Sequence, residues 1–130
     1  MARGAPDWVR KIEVTINLGQ PTSERAIDGF GSVTTSSSSY QTIKSWTVAT
    51  GYVGVLVGVE MICDNFSIAQ WKLEVDSVAV LEDDILQGEF TIPFPELKLA
   101  AGSVVTLSVK SDGSTEIMAD GNIDAKEVLQ

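Results

Sequence analysis

The chain has 130 residues, 44% of them hydrophobic, and carries 9 Lys and Arg against 18 Asp and Glu, a formal charge of −9. This length fits one domain with a substantial core, and the negative charge disfavours sequence-independent binding to nucleic acid or to anionic membranes. Histidine is absent and cysteine occurs once, as Cys63, which excludes Ser-His and Cys-His catalysis and an internal disulfide framework.

The opening of the chain indicates an N-terminal arm followed by a strand. Residues 1–10 contain Gly4 and Pro6, and no apolar stretch of signal-peptide length follows them. From Lys11 to Leu18 apolar and polar residues alternate, as is typical of a half-buried strand. We therefore predict an arm, residues 1–10, and a single domain, residues 11–130, in a soluble protein made in a reducing compartment.

The next segments predict a loop and four strands. A short edge strand is expected around Ile27–Val33, and the serine run Ser36–Ser39 is typical of an exposed loop. The segment Tyr40–Val48 suits a strand. The longest apolar run lies within Tyr52–Asp76 and predicts two core strands joined by a turn at Asp64-Asn65.

Strict alternation in the first core strand separates valines from glycines. The valine face comprises Val53, Val55, Val57 and Val59, and the opposite face contains Gly54 and Gly58. The two glycines leave room for a large ring or for a second sheet. Cys63 lies in the same run, where we expect a buried structural thiol rather than a nucleophile.

The second half of the chain continues the β pattern. Strands are predicted around Glu89–Phe94, Ser103–Lys110 and Thr115–Val128, with a hairpin turn at Ser111-Asp112-Gly113. Pro93 and Pro95 place the strand around Glu89–Phe94 at a sheet edge or end it, because proline cannot donate to a ladder. With no amphipathic helix in evidence, the sequence predicts an all-β fold, an antiparallel β-sandwich or jelly roll of about eight strands.

No constellation of acids predicts a catalytic, metal or cofactor site. Asp120, Asn122 and Asp124 have the spacing of calcium ligands, but the glycine and glutamate of a calcium loop are missing. They are more simply the solvated side of the last strand. Many carboxylates are the background of an acidic surface, so we expect neither a glycosidase-like pair nor any other enzyme activity.

Aromatic residues are the candidates for partner binding. Trp71 faces inward by alternation, whereas Tyr40 and Trp46 share a parity that would expose them together. In the arm, a large ring such as Trp8 is best packed on a partner. The predicted partner-binding residues are Arg3, Pro6, Trp8, Tyr40 and Trp46.

The opening MARGAPDW and the run from WTVATGYVGVLVGVEMICDNFSIAQWKLEVD to PFPELKLAAGSVVTLSVKSDGS resemble the small acidic jelly-roll proteins of tailed phages that decorate capsids or build other virion parts. The resemblance implies a non-enzymatic capsid decoration (cement) protein. Such a protein is made in the host cytoplasm and located on the capsid surface of the virion. It would bind the major capsid protein or another virion protein, and its own copies as a homo-oligomer, with a trimer as the first expectation.

Two alternatives stay open. A carbohydrate-binding β-sandwich module would need at least two coplanar, exposed aromatic rings on one surface. An enzyme that uses clustered carboxylates and a metal would need a pocket with converging acids.

Overall fold

The computed structural model describes residues 24–130, which form nine strands and no helix. The strands are β1 (Glu24–Ile27), β2 (Phe30–Thr35), β3 (Gln41–Thr47), β4 (Tyr52–Cys63), β5 (Gln70–Val75), β6 (Val78–Asp84), β7 (Phe90–Leu99), β8 (Val104–Lys110) and β9 (Ile117–Leu129). The predicted arm and the predicted strand Lys11–Leu18 lie outside the described residues, and so do Arg3, Pro6 and Trp8. Within residues 24–130 the structure contains no helix that is long and apolar enough to cross a membrane.

The strands form two antiparallel sheets. In the five-stranded sheet β1 and β2 both pair with β9, which continues to β4 and β7, and the four-stranded sheet has the order β3-β8-β5-β6. Because Glu24 lies opposite Val128 and Thr35 opposite Ile117, β1 and β2 behave as one interrupted strand along β9. The pairs β2–β9, β3–β8, β4–β7 and β5–β6 are then the four strand pairs of a jelly roll, which confirms the predicted fold class.

The core lies between the two sheets and follows the alternation of each strand. In β5 the inward residues Trp71 and Leu73 are fully buried, as the sequence predicts. The five-stranded sheet contributes fully buried side chains from β4 and β9, among them Leu56, Met61 and Ile123. Interdigitation of these two inner faces supplies most of the buried apolar area and hence most of the stability.

A β-bulge in β4 overturns the predicted valine face. In the pairing with β9, Leu56 lies opposite Ala125 and Gly58 opposite Asp124, so Val57 is an extra residue in β4. Val57 is exposed, whereas Val59 is fully buried. The prediction that all four valines share one face is wrong because the bulge inverts the parity of every residue after it.

Gly54 on β4 leaves room for a large ring, as predicted. A Cβ atom at Gly54 would lie 2.5 Å from Cγ2 of Val48 and 2.8 Å from Cη2 of Trp46. The Trp46 ring therefore occupies space that only glycine leaves free, and Trp46 is just 5% exposed. The expectation that Trp46 is exposed together with Tyr40 is wrong.

The two margins of the sandwich differ. At one margin β2 lies directly against β3, since a Cβ atom at Gly31 would overlap the carbonyl oxygen of Ile43. At the other margin the edge strands are β6 and β7. The edge position predicted from Pro93 is confirmed, and β6 carries the exposed side chains Val78 and Val80.

Candidate interaction surface

Three large apolar side chains are exposed on the outer face of the five-stranded sheet. Phe30 of β2 is 60% exposed, Ile62 of β4 is 38% exposed and Met118 of β9 is 60% exposed. The strands are adjacent, because Phe30 lies opposite Asn122 and Ile62 opposite Asp120. We call Phe30, Ile62 and Met118 the outer patch.

Acidic side chains surround the outer patch. Ile62 separates two open grooves: one of about 300 Å³, beside Asp64 and Asp120, and one of about 70 Å³, beside Glu60 and Glu89. We call these four acids the acid rim. Within the described part of the chain, none of the four carboxylates forms an ion pair with Lys or Arg. The surface therefore combines exposed apolar area with negative charge that no Lys or Arg of residues 24–130 pairs with.

A buried amide fixes the position of the outer patch. Asn122, opposite Phe30, is only 4% exposed although it lies on the outer face. Its Nδ2 donates to Oδ1 of Asp28 at 2.7 Å and to Oε1 of Glu60 at 3.2 Å, and its Oδ1 accepts from the backbone N–H of Gly29 at 3.0 Å. These bonds hold the segment between β1 and β2 against β9 and β4, so the backbone that carries Phe30 is rigid.

Hydrogen bonds fix two carboxylates of the acid rim, Asp64 and Asp120. The backbone N–H of Asp64 donates to the carbonyl of Met118 at 3.1 Å, and Oδ1 of Asp64 accepts from the N–H of Met118 at 3.0 Å. On the neighbouring strand, Oγ of Ser32 donates to Oδ1 of Asp120. Both carboxylates therefore keep a fixed place beside Met118.

Cys63 contacts the larger groove without the properties of a nucleophile. It is 8% exposed, and its Sγ accepts a hydrogen bond of 3.4 Å from the backbone N–H of Asn65. Burial raises the pKa of its thiol, which keeps the neutral form at physiological pH. The predicted burial of Cys63 is confirmed.

Tyr40 lies on the outer side of the four-stranded sheet in a network of its own. Its hydroxyl donates to Oδ1 of Asp83 at 2.5 Å, and Nζ of Lys110 lies 2.9 Å from the same carboxylate and 4.6 Å from the centre of the Tyr40 ring. Burial, followed by the bond to Asp83, raises the pKa of Tyr40. The hydroxyl and the ring thus already have partners within the molecule.

Trp46 points into the core because of a second bulge. The pairing of β3 with β8 shifts between Thr42 and Lys44, so Tyr40 and Trp46 lose their common parity. Nε1 of Trp46 donates to Oε2 of Glu127 at 3.1 Å. With Trp71 also fully buried, these two tryptophans do not form the exposed platform that a carbohydrate-binding module would need.

The central amide of the motif Asp120-x-Asn122-x-Asp124 is engaged within the protein. Asn122 uses its amide for Asp28 and Glu60. Within residues 24–130, no three acidic or cysteine side chains are grouped so that they could hold a metal ion.

No protein family model and no curated protein matches the chain. The outer patch was not predicted from the sequence, in which Met118 alternates with the inward-facing residues Ile117 and Ala119. A large apolar residue at an outward position was the available signal. The surface must therefore be interpreted from its own chemistry.

Proposed function

We propose that the chain is a non-enzymatic structural protein of a virus particle, a capsid decoration (cement) protein that binds the shell and its own copies. The observation that carries the proposal is the outer patch with its acid rim. Ligand pockets enclose most of a small molecule, whereas an exposed apolar patch with a polar rim is typical of a contact with another protein. The two grooves are open and lie on a sheet face, which suits a protein partner.

The jelly-roll scaffold supports the same proposal. Viral capsid proteins commonly use this fold, although lectins and cupins use it too. In the present chain the resemblance to phage decoration proteins favours the viral role over the other two. The excess of acids would keep a protein soluble when many copies are displayed side by side.

Exposed apolar residues at the margin formed by the edge strands β6 and β7 offer a second contact surface. Val78 is 68% exposed and Val80 is 51% exposed on β6, and Phe90 is 45% exposed on β7. A protein that touches both a shell and its own copies needs two such surfaces. The proposed partners are the major capsid protein or another virion protein and further copies of this chain, in a trimer on the capsid surface.

Binding to shells tests the proposal. Purified protein would be added to empty shells assembled from the major capsid protein of the same genome and then sedimented, with protein alone as the control. We expect the amount of protein that sediments with the shells to saturate as protein is added. Shells with bound protein should disassemble at a higher temperature than shells without it. If no protein sediments with the shells at about 10 μM, where a micromolar interface is largely occupied, the proposal is wrong.

A further inference from the structure

We infer that the outer patch binds the N-terminal arm, residues 1–10, of a second copy of this chain. The inference rests on the self-association in the proposed function and names the contact that produces it. Within residues 24–130, no side chain covers Phe30 and Met118 of the outer patch. No Lys or Arg of the same residues pairs with the acid rim.

The charges of the arm and of the body are complementary. Arg3, Arg10 and Lys11 supply three of the nine basic residues of the chain, and Asp7 is the single acid before Glu13. Residues 24–130 contain six Lys and Arg against sixteen Asp and Glu, a formal charge of −10. Opposite charges at the rim of a contact select the partner and its register.

The apolar parts match as well. The arm carries Pro6, Trp8 and Val9 between its two arginines, so an extended arm presents apolar and basic groups together. A tryptophan ring buries about 150–250 Å² when it is covered. The outer patch has apolar side chains at its centre and acids at its edges, which is the complementary arrangement.

The length of the chain allows the arm to reach a neighbour. From Arg10 to Glu24 the fourteen residues span at most about 46–50 Å. An arm that binds the next copy makes a head-to-tail contact, and such contacts close into rings when the rotation permits, with three copies in the proposed trimer.

Two variants of the full chain test the inference. The arm variant carries Arg3→Glu and Arg10→Glu, and the patch variant carries Ile62→Glu and Met118→Glu at exposed positions. Light scattering would measure the mass of each, and circular dichroism would verify that each is folded. We expect an oligomer for the wild type and an increase of about tenfold or more in the dissociation constant of each variant.

A mixture of the two variants shows whether the arm and the patch bind each other or contribute to separate contacts. The arm variant keeps an intact patch and the patch variant keeps an intact arm, so together they can form one contact. We expect 1:1 pairs in the mixture at concentrations where each variant alone is monomeric. A synthetic peptide of residues 1–11 should compete with the pairs.

Two matched controls test whether the effects depend on the positive charge of the arm and on the location of the new carboxylates. Arg3→Lys with Arg10→Lys preserves the positive charge and should preserve the oligomer. Leu129→Glu introduces the same kind of carboxylate at the exposed end of β9, eleven residues along the strand from Met118, and should also leave the oligomer intact. Raised salt should weaken the wild-type oligomer, since the acids and the arginines lie at an exposed rim.

Three results would overturn the inference: a monomeric wild type, a mixture that forms no pairs, or a loss of mass in Leu129→Glu equal to that in the patch variant. A monomer in which the arm binds its own patch would give the first result. If the wild-type chain still sediments with shells in that case, the decoration function stands and only the arm contact is refuted.

Discussion

The indole Nε1 of Trp46 on β3 donates a 3.1 Å hydrogen bond to Oε2 of Glu127 on β9, which joins the two sheets through the core. Glu127 is 2% exposed and also accepts from the N–H of Ala49 at 2.8 Å and from Nε of Arg25 at 2.7 Å. Burial alone would raise the pKa of Glu127, but the bonds from Ala49, Arg25 and Trp46 outweigh it and the pKa is lowered.

Glu127→Gln should destabilise the protein by about 1–3 kcal/mol. All three groups that face the carboxylate are donors, so an amide NH₂ in that position would oppose at least one of them. The free energy of unfolding in urea measures the effect. Glu116→Gln, at an exposed position on the approach to β9, is the control and should change stability by about 0.5 kcal/mol or less. Equal stability of the two variants would contradict the network.

Gly54→Ala should destabilise the sandwich by about 1–3 kcal/mol through overpacking. The new Cβ atom would lie 2.5 Å from Val48 and 2.8 Å from Trp46, and neither side chain has free space to move into. Thermal unfolding of the variant gives the measurement. At Gly88 a Cβ atom would meet nothing within 4 Å, so Gly88→Ala should unfold close to the wild-type temperature. A wild-type melting temperature for Gly54→Ala would show that the ring does not occupy the glycine face.

The sequence predicts the fold well and the site poorly, and the bulges explain much of the difference. Alternation identifies Trp71 as a core residue because its strand segment is regular. After the bulges in β3 and β4 the same alternation fails for Trp46 and Val59, since an extra residue leaves no compositional mark. The parity that turns Ala125 inward also turns Glu127 inward.

The partners of Glu127 were beyond the reach of sequence reasoning. Arg25 is 102 positions away along the chain and Trp46 is 81 positions away, so only the register of β1 on β9 and the packing of the two sheets bring them together. The outer patch is likewise formed by residues that only the strand order brings together. Phe30, Ile62 and Met118 lie far apart in the sequence, and they form one surface only because β2, β9 and β4 are neighbours.

Asp112 should make the loop before β9 sensitive to acid. Hydrogen bonds from the backbone N–H groups of Ser114 and Thr115 lower the pKa of Asp112 from 3.8 to about 2. A lowered folded-state pKa means that the carboxylate stabilises the fold above pH 3.8 and that this contribution is lost as the pH falls to about 2. Asp112→Asn should therefore differ most from the wild type above pH 3.8, and urea midpoints across this range should converge towards pH 2. A difference that is constant with pH would contradict the assignment.

Asn122→Asp should destabilise the outer face in a way that acid relieves. Nδ2 of Asn122 donates to both Asp28 and Glu60, so a carboxylate in its place removes two donors and adds a third negative charge. We expect a loss of about 1–3 kcal/mol at pH 7 from the unmade bonds.

The pH dependence of that loss has a definite sign. Two neighbouring carboxylates raise the folded-state pKa of the introduced carboxyl above its unfolded value. A raised folded pKa makes folding less favourable above that pKa, so the deficit should shrink as the pH is lowered through it. Urea unfolding at neutral and at acidic pH measures the change. Asn65→Asp is the control, because Oδ1 of Asn65 only accepts a bond from Oγ of Ser67 at 2.7 Å and a carboxylate accepts it equally. If Asn122→Asp has a deficit that does not shrink in acid, Asn122 does not bridge the two acids, and Phe30 in the outer patch lacks the rigid support that this amide would give.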